Sequence, residues 1–205
     1  MDSRKTAFIA VMSSLGALLS AASLHLAPIL ATVSGQGGAA LDLSHIATFI
    51  AAIFGGPYVG AAVGFLSGIY AGYYFGYVLG SLGFVSLIGV PLGKALTGFT
   101  AGLLYRKLGI ADRSRASILT VPVILLSYIP ESIYTYFYFV NIAVYVVGYA
   151  MTFMLPIVIP KAWIEVILMS LLMGALSGNT GFRNFLGTYF QSQKSQKALM
   201  KAKDD

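Results

Sequence analysis

LDLSHIATFIAAIFGGPYVGAAVGFLSG, residues 41–68, is the stretch that decides the fold. Its first half, 41–54, reads as an apolar helix too short for a full membrane span, with Asp42 and His45 at its start. Gly55-Gly56-Pro57 is a tight turn, and a second helix follows over 58–76. From Gly56 through Gly60, Gly64, Gly68, Gly72 and Gly76 to Gly80, a glycine recurs every four residues. Glycines at that spacing lie near one helix face and let another backbone come close, as helices do inside lipid. The segment therefore predicts a helical hairpin whose second arm packs tightly in a membrane bundle. Close packing is the plainer reading of the ladder; helix sliding during transport is the functional one.

Composition extends that reading to the whole chain. Of 205 residues, 58% are hydrophobic and only 10% charged, and the mean hydropathy is +0.82. A soluble domain carries about 25% charged residues, so this chain lacks the polar surface that water requires. Upstream, an apolar run over 7–31 follows Arg4 and Lys5. It resembles a secretory signal but is longer than a signal core and is followed by further spans, so it is expected to be retained. Residues 32–40, TVSGQGGAA, form a Gly-rich loop. Downstream, 77–86 connects to a helix over 87–108, and 106–115 is a basic loop. A fifth helix starts at Ala116 and runs into the 130s, with Pro122 and Pro130 as kinks. Residues 139–159, broken by Asn141, Gly148 and Pro156, read as a re-entrant or interfacial connection, and a last helix covers 161–176. The expectation is an all-α membrane protein, a six-helix bundle over residues 1–182 with a basic tail over 183–205.

Charge distribution sets the orientation. With six spans and the N-terminus inside, cytoplasmic segments hold Arg4, Lys5, Arg106, Lys107, Arg113, Arg115, Arg183, Lys194, Lys197, Lys201 and Lys203, all of the 13 basic residues except Lys94 and Lys161. Both termini are then cytoplasmic, in the plasma membrane. The net charge of +6 is explained by topology and anionic lipid rather than by nucleic acid. Cysteine is absent, which excludes disulfides and thiolate metal sites.

Ionisable groups within apolar spans are costly and usually functional. Glu131 lies sixteen residues beyond Arg115 and Glu165 eighteen before Arg183, which puts both about 24 Å or more above the inner surface at ~1.5 Å per residue. Lys94, twelve residues before Arg106, sits about 18 Å up. His25 ends the first helix, and Asp42 and His45 open the second. All of these, with Lys161, fall in the outer half. Blander roles exist for several: Asp42 as a helix cap, Lys161 and Glu165 as a local i,i+4 pair, Lys94 snorkelling outward, Trp163 and the tyrosines as an interfacial belt. Glu131, with Tyr128, Tyr134 and Thr135 on its face, reads as a ligand group for a polar ring or an amine. Catalysis finds less support. The serines of two G-x-x-S-G pieces, Ser67 and Ser177, have no base within reach and suit small-residue packing. His25, His45 and Asp42 could form a metal site only from loop edges, and no metal or other cofactor is expected.

The arrangement resembles the substrate-binding S components of energy-coupling factor (ECF) vitamin transporters, over nearly the whole chain to about Leu176. Residues 41–68 carry the resemblance most clearly, as that family's second helix, its inner Phe-Gly-Pro turn and its Gly-rich third helix. The family implies an outward-facing pocket built by helices four to six under a first-loop lid. By position that pocket involves Lys94, Tyr128, Glu131, Tyr134, Lys161, Trp163 and Glu165, with Asp42 and His45 beside them and 32–40 as the lid. The family also docks on its coupling subunit through small residues on the first helix, which here would be Ala10/Ser14 and Ser13/Ala17; the strict alanine pair occurs only at Ala17/Ala21. The start Met-Asp-Ser lacks the metal-binding His of cobalt and nickel members. The implied function is capture of a vitamin or related small molecule from outside, with a transmembrane coupling subunit and two ATPases as partners and no catalysis. A self-sufficient secondary transporter is the alternative, hinted at by the two G-x-x-S-G pieces 110 residues apart, and an intramembrane enzyme a third reading.

Overall fold

A computed structural model describes residues 3–34, 42–80 and 83–189, and among these every regular element is helical. Helix α1 spans Ser3–Ser34 and α2 His45–Gly55, its last turn a wide one. Helix α3 runs over Pro57–Tyr73 and continues as a second wide turn through Tyr74–Val78. Helix α4 is Phe84–Lys107, α5 Ala116–Val147 and α6 Thr152–Gly178; a short α7 covers 180–189. Four stretches are long and apolar enough to cross a membrane: Ser3–Leu26, Phe84–Lys107, Ala116–Val147 and Thr152–Gly178. Helix α2 is short, and α3 is diluted by the glycines and tyrosines that the ladder brings.

The turn between α2 and α3 follows from its residues. Gly56 adopts φ +92°, a conformation a side chain resists, and Pro57 starts α3 where no backbone N–H is needed. Arg106, from the far end of α4, donates from Nη2 to the Gly55 carbonyl at 2.9 Å. A Cβ on Gly56 would lie 2.0 Å from that guanidinium carbon, so a side chain there would displace the arginine from the turn.

The glycine ladder packs α3 on α4. A Cβ on Gly60 would stand 2.5 Å from the Gly98 carbonyl oxygen, and one on Gly98 would stand 2.2 Å from that of Gly60. The same backbone contact repeats at Gly64 with Lys94, Gly72 with Ser86 and Gly76 with Gly83. Helix α1 closes on the other side of α3, with Gly16 against Ser67. Helices α5 and α6 are tied by Ser117 Oγ donating to the Gly174 carbonyl at 2.8 Å and by Thr120 and Ser177 hydroxyls at 2.8 Å.

The stretch 139–159 differs from expectation. Helix α5 continues through a wide turn at Tyr138–Ile142, which accommodates Asn141, and stops at Gly148 in the left-handed conformation. The Met151 N–H then reaches back to the Phe139 carbonyl at 2.9 Å. The last helix starts well before Lys161, because Pro156 lies in the first turn of its α-helical part, Leu155–Gly178, where proline costs nothing. Pro156 thus marks a helix start rather than a broken connection, and Pro160 lies inside the same helix. The expected loop 32–40 lies mostly outside the described residues, although α1 reaches Ser34.

One end of the bundle is closed by the chain's two terminal helices. Arg4 donates to the Tyr189 carbonyl at 3.3 Å, and the Tyr189 hydroxyl donates back to the Arg4 carbonyl at 3.1 Å. Phe182 packs edge-on to Phe54, and Arg183 donates to the Ala111 carbonyl at 2.6 Å. Residues 183–189, expected as the start of a tail, thus fold back on the same end that carries Arg106.

Candidate functional site

The opposite part of the bundle gathers the ionisable groups of the apolar helices. Asp42 and Ser44 precede α2 and His45 opens it; Lys94 and Thr97 share one face of α4; Tyr128 and Glu131 sit where α5 bends; Lys161, Trp163 and Glu165 come from α6. The bend has a local cause. Helix α5 breaks its register at Tyr128, and Pro130 begins the continuation, so the Glu131 side chain enters the bundle from the first turn of a new segment.

These groups form a network of two adjoining clusters, one around Asp42 and one around Glu131. Lys94 Nζ pairs with Asp42 Oδ2 and donates to Ser44 Oγ. The Ser44 N–H donates to Asp42 Oδ1 at 3.0 Å, an Asx-type turn that aims the carboxylate at the lysine. The Asp42 N–H donates to Glu165 Oε1 at 2.8 Å, and Lys161 Nζ lies 3.2 Å from the same oxygen. His45 Nε2 is 3.1 Å from Glu131 Oε2, which also accepts from Thr97 Oγ1. Isolated charges in so apolar a setting would cost several kcal/mol each (about 3–5 on losing a partner); here every carboxylate has at least one hydrogen-bond donor within the protein. The Lys94 and Asp42 side chains are only 3% and 7% exposed.

Aromatic rings border the network. Tyr128 meets His45 and Trp163 edge-on, with centroids 6.1 and 5.3 Å apart, and Phe75 lies under the Lys161 ammonium, 5.8 Å from its centroid. Such edge-to-face and cation–π contacts position a planar ligand as readily as they position one another.

The residues singled out from sequence are thus placed as follows. Asp42, Lys94, Lys161 and Glu165 are linked in one cluster and His45 and Glu131 in a second beside it, joined through the chain at Ser44-His45, and Tyr128 and Trp163 stack along them. Tyr134 stands apart. It borders Glu131 across Gly93, but its ring packs on Tyr138 in a second apolar cluster with Ala143 and Met151. His25 hydrogen-bonds the Tyr70 hydroxyl at 2.7 Å, away from the network; His25, His45 and Asp42 therefore turn to three different partners. Ser67 and Ser177 donate to carbonyls three residues back in their own helices, Gly64 and Gly174. Sequence reasoning missed Ser44 and Thr97. The signals were present: Ser44 lies two residues after Asp42, at Asx-turn spacing, and Thr97 one turn beyond Lys94 on the same face.

On α1 the two small-residue pairs diverge. Ala10 and Ser14 are exposed, beside exposed Val11, Leu15 and Leu18. Ser13 is buried and Ala17 half-buried, on the side that Gly16 turns towards α3.

Compared with known families, residues 4–177 match the family described as ECF transporter, substrate-specific component. No curated protein and no solved structure matches the chain.

Proposed function

The chain belongs to the family of ECF transporter substrate-specific components, and on that premise we propose that it captures a vitamin-like small molecule at the Asp42–Lys94–Glu131–Glu165 network. As a member it is a membrane protein and a transporter subunit. In our reading it spans the plasma membrane six times with both termini cytoplasmic. Residues 1–182 form the membrane unit, and the basic segment 183–205 lies at the inner face. The network then falls in the outer half, facing the side from which a nutrient is taken up. Energy comes from partners, a transmembrane coupling subunit and two ATPases. The exposed side of α1 at Ala10 and Ser14 is the docking surface, with Ser13 and Ala17 setting how closely α1 packs behind it.

The observation that carries this reading is the convergence of six ionisable side chains from four separate segments on one buried, ring-bordered site. Packing alone does not call for charges in a lipid-embedded core, where each is expensive. The amphipathic ring of Trp163 and the Tyr128 phenol suit a substrate with an aromatic ring and a polar edge. Tyr134 lies at the margin and contributes shape rather than charge.

Native mass spectrometry of the protein released gently from its own membranes tests the proposal. A stoichiometric adduct of vitamin-like mass is expected, lost from a Glu131→Gln variant that still folds. A well-folded wild-type protein that carries no adduct and gains none on incubation with a mixture of vitamins would refute it.

A further inference from the structure

The three basic side chains of the network are held very differently. Lys94 is pinned by Asp42 and Ser44 from another segment, with 3% of its side chain exposed. His45 is locked against Glu131, whose Oε2 also takes the Thr97 hydroxyl. Lys161 has one carboxylate partner, Glu165, on its own helix, and its side chain is 17% exposed. Glu165 keeps a second partner, the Asp42 N–H, whether or not Lys161 is there. Beneath the ammonium is the face of Phe75. A carboxylate and an aromatic face together make a seat for a cation, and Lys161 holds that seat on a flexible four-carbon stem able to swing towards the membrane surface.

The local pairing points the same way. If Lys161 withdraws, Glu165 loses its cationic partner, and an incoming cation takes its place. An anionic ligand would meet the carboxylate instead.

We infer that the substrate is a cation bearing an aromatic ring, and that its positive group displaces the Lys161 ammonium from Glu165 and Phe75. Lys161 is thus a built-in competitor that holds the seat until substrate arrives. The inference rests on the proposed binding role of this network and adds to it the charge class of the ligand and a specificity residue.

Trp163 is the chain's only tryptophan and stands two residues from Lys161, so its fluorescence reports on this site alone. The test titrates the full-length protein in detergent with benzyltrimethylammonium, benzyl alcohol and benzoate. The cation is expected to bind saturably, and the neutral and anionic probes about tenfold more weakly or worse, since they lack the ion pair and the cation–π contact. Lys161→Met, which removes the competitor, tightens the cation several-fold, on the order of one weakly held ion pair; Glu165→Gln abolishes the preference. Benzoate binding as well as the cation, or no saturable response to any probe, overturns the inference, and so does a folded Lys161→Met variant that binds the cation more weakly. Co-purification with an ECF coupling subunit is measured on the same preparation. If that succeeds while the probe order fails, the charge assignment falls and the transporter-subunit reading stands.

Discussion

Lys94 and Asp42 form the most enclosed ion pair of the described residues, and their removal separately and together is the sharpest test of the site. Lys94→Met keeps the length of the side chain and deletes its charge. Asp42 is then left buried with only the Ser44 N–H on Oδ1, and Ser44 Oγ loses its donor. Breaking a buried pair from one side costs about 3–5 kcal/mol, which lowers the folded-to-unfolded ratio by roughly two to four powers of ten. Asp42→Asn strands the ammonium in the same way. The double variant leaves neither charge behind. It should therefore be clearly more stable than the sum of the two single losses, by an interaction energy of ~2–3 kcal/mol. The assay is reversible unfolding in mixed detergent–SDS micelles, followed by helical circular dichroism for the wild type, both single variants and the double. Single losses below about 1 kcal/mol, the range of exposed pairs, would show that water reaches the pair. Strict additivity in the cycle would show that the two groups do not act on each other, and the network as described would be wrong.

Three further outcomes are expected. Glu131→Gln retains an oxygen for Thr97 and His45 but not the charge, so ligand affinity should fall about 10- to 100-fold, the worth of one charge-assisted bond, with unchanged thermal stability; equal affinity in a binding titration would remove Glu131 from the site. Gly98→Ala puts a methyl 2.2 Å from the Gly60 carbonyl oxygen and should cost ~1–3 kcal/mol as α3 and α4 separate, read as a drop in melting temperature, whereas Gly187→Ala, where a Cβ meets nothing within 4 Å, should be neutral. Ser14→Leu, on the exposed side of α1, should weaken capture of the coupling subunit in a pull-down and spare ligand binding; normal capture would move the docking surface elsewhere.

Residues 41–68 made the α2–α3 hairpin legible because three signals agree there: a short apolar helix, Gly-Gly-Pro, and a four-residue glycine repeat. The repeat also foretold close backbone contact, though not its partner. That partner is α4, whose own Gly98 and Gly102 meet Gly60 and Pro57, and a periodicity says nothing about which neighbour it serves. That Lys94, Glu131 and Glu165 would share one part of the bundle could be counted from helix rise, and the structure does bring them together. Which charge pairs with which could not. Lys161 and Glu165, four residues apart, offer a local pair as one reading of the sequence, but Lys94–Asp42 and His45–Glu131 join residues 52 and 86 apart, and only the packing of α4 and α5 on α2 decides them. The misreading of 139–159 has a similar origin. Proline and glycine punctuate a chain, yet Pro156 in a first turn and Gly148 just past a helix end are the positions where helices use them, and spacing alone does not tell a terminus from a break.

The pairing pattern bears on how such a site can both hold and release a substrate. Each carboxylate of the network already has a protein partner, so an incoming polar group exchanges one partner for another and does not have to be matched with a bare charge. On the proposed binding role, the electrostatic gain is then a difference between two pairings, enough to select the charge of the ligand, and burial of its apolar part beside Tyr128, Trp163 and Phe75 adds about 25 cal/mol for each Å² removed from water. If Lys161 yields its place to a substrate as proposed, release needs no separate device: Lys161 returns to Glu165 within its own helix and leaves no unpaired charge behind. A site built on stranded charges would have no such partner to return, and that is the physical consequence of placing a cation and its carboxylate four residues apart on one helix.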